Sequence, residues 1–132
     1  MRLQGKVSII TGASGGIGEA TANKFAAEGA IVVLADVREE AVQRLASRIA
    51  DAGGTALGLA VDVTNRDSVE RLMAATAEHY GRIDVVVNNA GITEDATLLK
   101  MTEAQWDRVL DVNLKGVFNV AQAAAKRMKE QR

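Results

Sequence analysis

The chain has 132 residues, enough for one domain with little room for another. Hydrophobic residues make up 48% and charged residues 25%, a balance that excludes an intrinsically disordered chain. Lysine plus arginine (16) nearly cancels aspartate plus glutamate (17); the net charge of -1 gives no overall field toward nucleic acid or an anionic membrane, and neither is expected as a partner.

Cysteine is absent and His79 is the only histidine, so disulfides, thiolate nucleophiles and multi-histidine metal centres are excluded; no metal site is expected. No stretch approaches the roughly 20 apolar residues of a membrane span, and charge interrupts the opening Met1-Arg2-Leu3-Gln4-Gly5-Lys6 at once. A cytoplasmic location is the expectation.

Proline is also absent, so no sharp break divides the chain, and residues 1–132 read as a single unit. The β-rich run Lys6 to Ile10 ends at Thr11-Gly12. A helix follows from Ile17 to Glu28, with Ile17, Ala20, Ala22, Phe25 and Ala26 available for burial and Gly29 closing it. Ile31 to Ala35 is continuously apolar, as in a strand buried on both faces. Val42, Leu45 and Ile49 recur at helical spacing before Gly53-Gly54. A third strand is expected over Ala56 to Ala60, a helix over Asp67 to His79 carrying Val69, Leu72 and Met73, and a fourth strand over Ile83 to Val87.

One long helix is expected from Thr102 to about Glu130, opened by the capping pattern Thr102-Glu103-Ala104-Gln105. Its residues Trp106, Val109, Leu110, Leu114, Val117, Phe118 and Ala121 form an i, i+3, i+4 stripe that reads as core packing. Asn113 falls inside that stripe, where a buried amide needs partners. His79 reads as a solvated residue at a helix C-terminus, and the basic end of the chain as cations complementing another. Strands and helices alternate throughout, which predicts an α/β fold, doubly wound, with a parallel sheet covered by helices on both faces.

The segment Thr11-Gly12-Ala13-Ser14-Gly15-Gly16-Ile17-Gly18 lies between the first strand and the first helix. Glycines there let backbone approach a pyrophosphate closely, and the helix N-terminus favours the anion. No Gly-Lys-Ser/Thr follows, so a P-loop is excluded. Asp36 ends the second strand, where a carboxylate can accept from both ribose hydroxyls of an adenosine. Each feature also has a plain structural reading: a tight strand-to-helix turn needs glycine, and Asp36 could be a solvated loop acid.

Taken together, the chain resembles the N-terminal half of a short-chain dehydrogenase/reductase, most closely the 3-oxoacyl-acyl-carrier-protein reductases. The glycine segment is similar to that family's TGxxxGxG. Asp62-Val63 is similar to its adenine-binding pair, Asn88-Asn89-Ala90-Gly91 to its NNAG motif, and Asn113 to its active-site asparagine, which helps hold a water in a proton relay. The resemblance implies strand order 3-2-1-4, a dinucleotide crevice between strands one and four, and a nicotinamide cofactor. Cofactor-binding positions would be Gly12, Ser14, Gly15, Gly16, Ile17, Gly18, Asp36, Asp62, Val63, Asn89, Ala90 and Gly91, with Asn113 catalytic. Without the order of the motifs, Asp62 could simply cap a strand end and Asn88 to Gly91 form only a turn.

The family's reaction is carbonyl reduction by NAD(P)H, with a tyrosine–lysine pair as acid and a serine steadying the carbonyl. The single tyrosine, Tyr80, has Asp84 rather than lysine four residues on, and reads as part of a helix-to-strand turn. The expectation is a half-domain, truncated relative to the family, that binds cofactor without efficient catalysis. NAD is expected over NADP, because Asp36 would repel a 2′-phosphate and Gly15 stands where NADP-using relatives often carry a basic residue, leaving Arg38 nearby. The open edge of the fourth strand and the stripe on the last helix predict a homodimer. The alternative is a self-associating structural fragment that binds no nucleotide.

Overall fold

The computed structural model describes residues 1–131. Strand and helix alternate as β1 (Val7–Thr11), α1 (Gly16–Ala27), β2 (Ile31–Asp36), α2 (Glu39–Asp51), β3 (Thr55–Ala60), α3 (Arg66–Tyr80) and β4 (Val85–Val87). Two further helices follow, α4 (Glu103–Leu110) and α5 (Gly116–Glu130), joined by a π-helical turn over Asp111–Lys115. All strand pairs are parallel, and the sheet runs β3-β2-β1-β4 as the resemblance implies.

The twofold alternation of strand side chains divides the core. Ile9, Val33 and Ala35 pack with Val69, Leu72 and Met73 of α3 and Val120, Ala123 and Ala124 of α5. The opposite face sets Ile10, Val32 and Leu34 against Ala22 of α1 and Val42, Leu45 and Ile49 of α2. The apolar runs of β1 and β2 therefore meet helices on both sides, which is why they show no polar alternation. α2 lies so close to β3 that a Cβ at Gly58 would stand 2.6 Å from the Val42 carbonyl carbon.

Side chains pin the sheet at its amino edge. Asp84 Oδ2 accepts from the Val7 N–H at 2.9 Å, joining the approach to β4 to the start of β1. The Arg82 guanidinium donates to the same carboxylate at 2.6 and 2.8 Å. At the end of α5 the Gln131 side-chain amide accepts from Ile83 N and donates to Ile83 O, both at 2.8 Å, as a neighbouring strand would.

Three expectations need correction. The expected long helix is interrupted by the π turn, although the Thr102–Gln105 capping box is present as read. The large apolar stripe is not core: Trp106, Leu114 and Phe118 are more than half exposed (58%, 68% and 54%), and Leu110 and Val117 are also exposed. α5 instead buries a second face, Gly116, Asn119, Val120, Ala123 and Ala124, at the same i, i+3, i+4, i+7, i+8 spacing. Small side chains there let the helix approach the sheet and α3, whereas the larger residues stand outward. On α1, Ile17 and Ala20 are likewise exposed, while Ala22 is buried and Phe25 and Ala26 are partly so.

Candidate dinucleotide site

Parallel strands deliver their carboxyl ends to one edge of the sheet, and a cleft of about 480 Å³ lies there. It falls within the range of small-molecule pockets, roughly 300–1,000 Å³. Every expected cofactor-binding residue lines it: Gly12, Ser14, Gly15, Gly16, Ile17 and Gly18 after β1, Asp36 at the end of β2, Asp62 and Val63 after β3, and Asn89, Ala90 and Gly91 after β4. Val37, Arg38, Val61, Ile92 and Val112 complete the lining.

The two loops flanking the crevice are locked to each other. The buried Thr11 hydroxyl accepts from Asn89 N at 3.1 Å and Ala90 N at 3.0 Å. Asn89 Nδ2 donates to Gly12 O at 3.1 Å. Gly12 has φ +64°, and a Cβ there would lie 2.8 Å from Ala90 Cα; a Cβ on Gly18 would collide with Gly12 O and stand 2.8 Å from Asn89 Nδ2. These two glycines serve close packing of protein on protein. Gly15 and Gly16 do not: a Cβ at Gly16 would meet nothing within 4 Å, and at Gly15 only Gly12 O at 3.7 Å. α1 begins at that open stretch with Gly15 as N-cap and no side-chain cap, so no side chain satisfies its first-turn N–H groups.

Asp36 is buried at 9% exposure and fastens the glycine turn to β2. Its Oδ2 accepts from Ser14 N at 3.1 Å and Ser14 Oγ at 2.7 Å, and its Oδ1 from Arg38 N at 3.0 Å. Arg38 thus gives the carboxylate a backbone donor, and its guanidinium forms no ion pair with it. Across the cleft, Asp62 Oδ1 accepts from Thr64 N at 3.0 Å and Thr64 Oγ1 at 2.6 Å, while among the described residues Oδ2 has no donor and the Val63 N–H no acceptor.

Asn113 lies in the π turn and is exposed rather than buried, yet both ends of its amide are paired. Oδ1 accepts from Ile92 N at 2.8 Å and Nδ2 donates to Ile92 O at 2.9 Å, tying the turn to the loop after β4. Tyr80 ends α3, which runs from the cleft back to the opposite edge of the sheet. Burial pushes its hydroxyl pKa up, the reverse of what a proton donor at neutral pH requires. Thr11 had no role of its own in the glycine motif, yet its hydroxyl joins the two loops that border the cleft; a hydroxyl ending a fully buried strand was its signal.

A parallel α/β sheet with a glycine turn, an acid closing β2 and a cleft at the strands' carboxyl edge defines a dinucleotide-binding fold. Residues 6–132 match the family profile described as short chain dehydrogenase. The chain belongs to the short-chain dehydrogenase/reductase family.

The 3-oxoacyl-acyl-carrier-protein reductase of Thermotoga maritima is 48% identical over 132 residues, covering 100% of this chain and 54% of that protein. The meso-2,3-butanediol dehydrogenase of Serratia marcescens is 44% identical over 117 residues, covering 89% of this chain and 46% of that protein. In structure, a short-chain type dehydrogenase/reductase from Mycobacterium marinum superposes with a TM-score of 0.94 at 42% identity, over 98% of this chain and 52% of that one. The chain spans about half the length of the relatives it matches.

Proposed function

We propose that this chain is the nicotinamide-dinucleotide-binding portion of a short-chain dehydrogenase/reductase and takes NAD(H) in preference to NADP(H). The observation that carries the reading is the Asp36 carboxylate, which faces the cleft with no basic side chain paired to it. It suits a pair of ribose hydroxyls as donors and repels a 2′-phosphate. The residues present fit the cofactor elsewhere too. Gly15, Gly16 and the uncapped start of α1 leave room and donors for a pyrophosphate. Asp62 Oδ2 as acceptor beside the Val63 N–H as donor matches the edge of a 6-aminopurine.

When bound, the cofactor supplies or accepts a hydride. By analogy with the Thermotoga relative, the parent reaction is NAD(P)H-dependent reduction of a 3-oxoacyl thioester or similar ketone. Asn113, bonded to Ile92, holds the loop bordering the nicotinamide end and is the chain's contribution to the catalytic set. A positioned general acid contributes about 10²–10⁴-fold, and Tyr80 at the far edge of the sheet cannot supply it; the 132 residues by themselves bind cofactor without efficient turnover. The exposed residues Trp106, Leu114 and Phe118, with the outer edge of β4, support self-association as a homodimer.

Calorimetric titration with NADH and NADPH tests the reading. The unmodified chain should bind NADH more tightly, and Asp36→Ala should narrow the difference. Equal affinities for the two in the unmodified chain would overturn the preference, and no binding of either would favour a purely structural, self-associating fragment.

A further inference from the structure

Val63 is gripped from one side by a single turn of α5. Its carbonyl oxygen accepts from Asn119 Nδ2 at 2.9 Å, a bond buried in the core. Its side chain rests against Gly116, where an added Cβ would stand 2.6 Å from Val63 Cγ2. Gly116 and Asn119 are three residues apart and share the buried face of the helix. An asparagine amide can face either way until something fixes its oxygen. Here Arg66, the first residue of α3, does so: its Nη2 donates to Asn119 Oδ1 at 3.1 Å and its Nη1 to Gln122 Oε1 at 2.6 Å. The guanidinium also lies 5.4 Å from the centre of the Phe118 ring. With its oxygen taken by a permanent cation, the Asn119 amide has its N–H₂ committed to Val63 O.

None of these α5 residues lines the cleft, whereas Val63 does. We infer that Asn119 and Gly116 are positioning residues: acting through Val63, they set the place of the donor–acceptor pair formed by the Val63 N–H and Asp62 Oδ2, and so decide which purine edge the cleft accepts. The inference rests on the nucleotide reading above and adds a determinant of base selectivity on an element outside the site. A purine with a 6-amino group satisfies that pair, while a 6-oxo purine sets its oxygen against the Asp62 carboxylate and offers a donor to the Val63 N–H. The discrimination depends on where a short loop places Val63, and that place is fixed from α5.

The test compares NADH with reduced nicotinamide hypoxanthine dinucleotide, which differs only at the purine 6-position, by fluorescence titration of the unmodified chain and three variants. Asn119→Asp keeps the acceptor for Arg66 but turns an oxygen toward Val63 O. Asn119→Leu fills the space without either bond, and Gly116→Ala pushes on the Val63 side chain. The unmodified chain should prefer NADH. Each variant should lose roughly tenfold in NADH affinity, the scale of one buried hydrogen bond, and less than about threefold for the hypoxanthine dinucleotide, so that selectivity shrinks.

Circular dichroism melts accompany each titration, and the Gly116→Ala result decides the matter if the Asn119 variants do not fold. Equal losses for the two dinucleotides, unchanged NADH affinity in a folded variant, or no preference in the unmodified chain would overturn the inference. Binding of neither dinucleotide by the unmodified chain would overturn the nucleotide reading beneath it.

Discussion

Single residues in this chain act mostly by satisfying backbone groups at a distance in sequence. Asp84 is the clearest case. Hydrogen bonds from Arg82, and with them the Val7 N–H, hold its carboxyl below the ordinary value of 3.8 against an opposing effect of burial. A carboxylate depressed in the folded state contributes stability that is full above the unfolded-state pKa and is lost as pH falls through the folded one. Asp84→Asn should therefore destabilise the chain at pH 7 by about 1–2 kcal/mol, a hydrogen bond to a charged group discounted because the Arg82 side chain is half exposed to solvent. The gap should narrow as the pH drops below 3.8. Urea titrations from pH 7 to pH 2.5 check this, and curves that stay parallel over that range would contradict it.

Residues whose type suits their place in the chain were readable in the sequence as lining residues, though not their function. Gly12, Gly18 and Asp36 sit at a turn and a strand end whose geometry calls for them, and all three line the cleft. Thr11 and Ile92 were not assigned roles, because each matters through neighbours the chain brings together from far away. Thr11 meets residues 89 and 90, and Ile92 meets Asn113. No local pattern encodes those meetings.

At the scale of elements, periodicity identified the strands and the first and third helices to within a residue or two, marked α2 by its buried residues Val42, Leu45 and Ile49, and misjudged the last. The segment after Thr102 carries two helical stripes, one of large apolar residues and one of mostly small residues, Gly116, Asn119, Val120, Ala123 and Ala124. Hydrophobicity picks out the first, but close approach to a sheet and to α3 selects the second. The π turn is equally silent in the pattern, since an added residue within one turn leaves local composition unchanged. α5 is fixed at its far end by Gln131, whose amide serves both backbone groups of the buried Ile83. Gln131→Ala should cost about 1–2 kcal/mol by leaving those groups short of a partner. Native-state hydrogen exchange at Ile83 and Val85 reads it directly: exchange should quicken there more than in β2, and uniform protection would mean the contact contributes nothing.

For the molecule as a whole, strand–helix alternation was enough to read a parallel doubly wound sheet, and the resemblance added its order. The surface was harder to read. α4, the π turn and the start of α5 present Trp106, Leu110, Leu114, Val117 and Phe118 outward, and β4 pairs on one side only. Exposed apolar side chains grouped in this way suit the proposed contact with a second copy of the chain. Light scattering across a hundredfold dilution should give twice the chain mass of 13.9 kDa at high concentration. Trp106→Ser combined with Leu114→Ser should shift the balance to monomer. A monomer throughout would show that the strip does not bind a second copy.

If the cleft at the carboxyl edge of the sheet holds a nicotinamide dinucleotide with its adenosine ribose on Asp36, the backbone around it responds to NADH and the rest of the chain does not. Amide chemical shifts of the isotope-labelled chain, followed while NADH is added, test it most directly. Saturable shifts should concentrate at residues 12–18, 36–38, 61–63 and 89–92, with the amino edge around Arg82 and Asp84 unmoved and with Asp36→Ala weakening the whole set. Shifts scattered over the surface, or none at millimolar NADH in a folded chain, would contradict it.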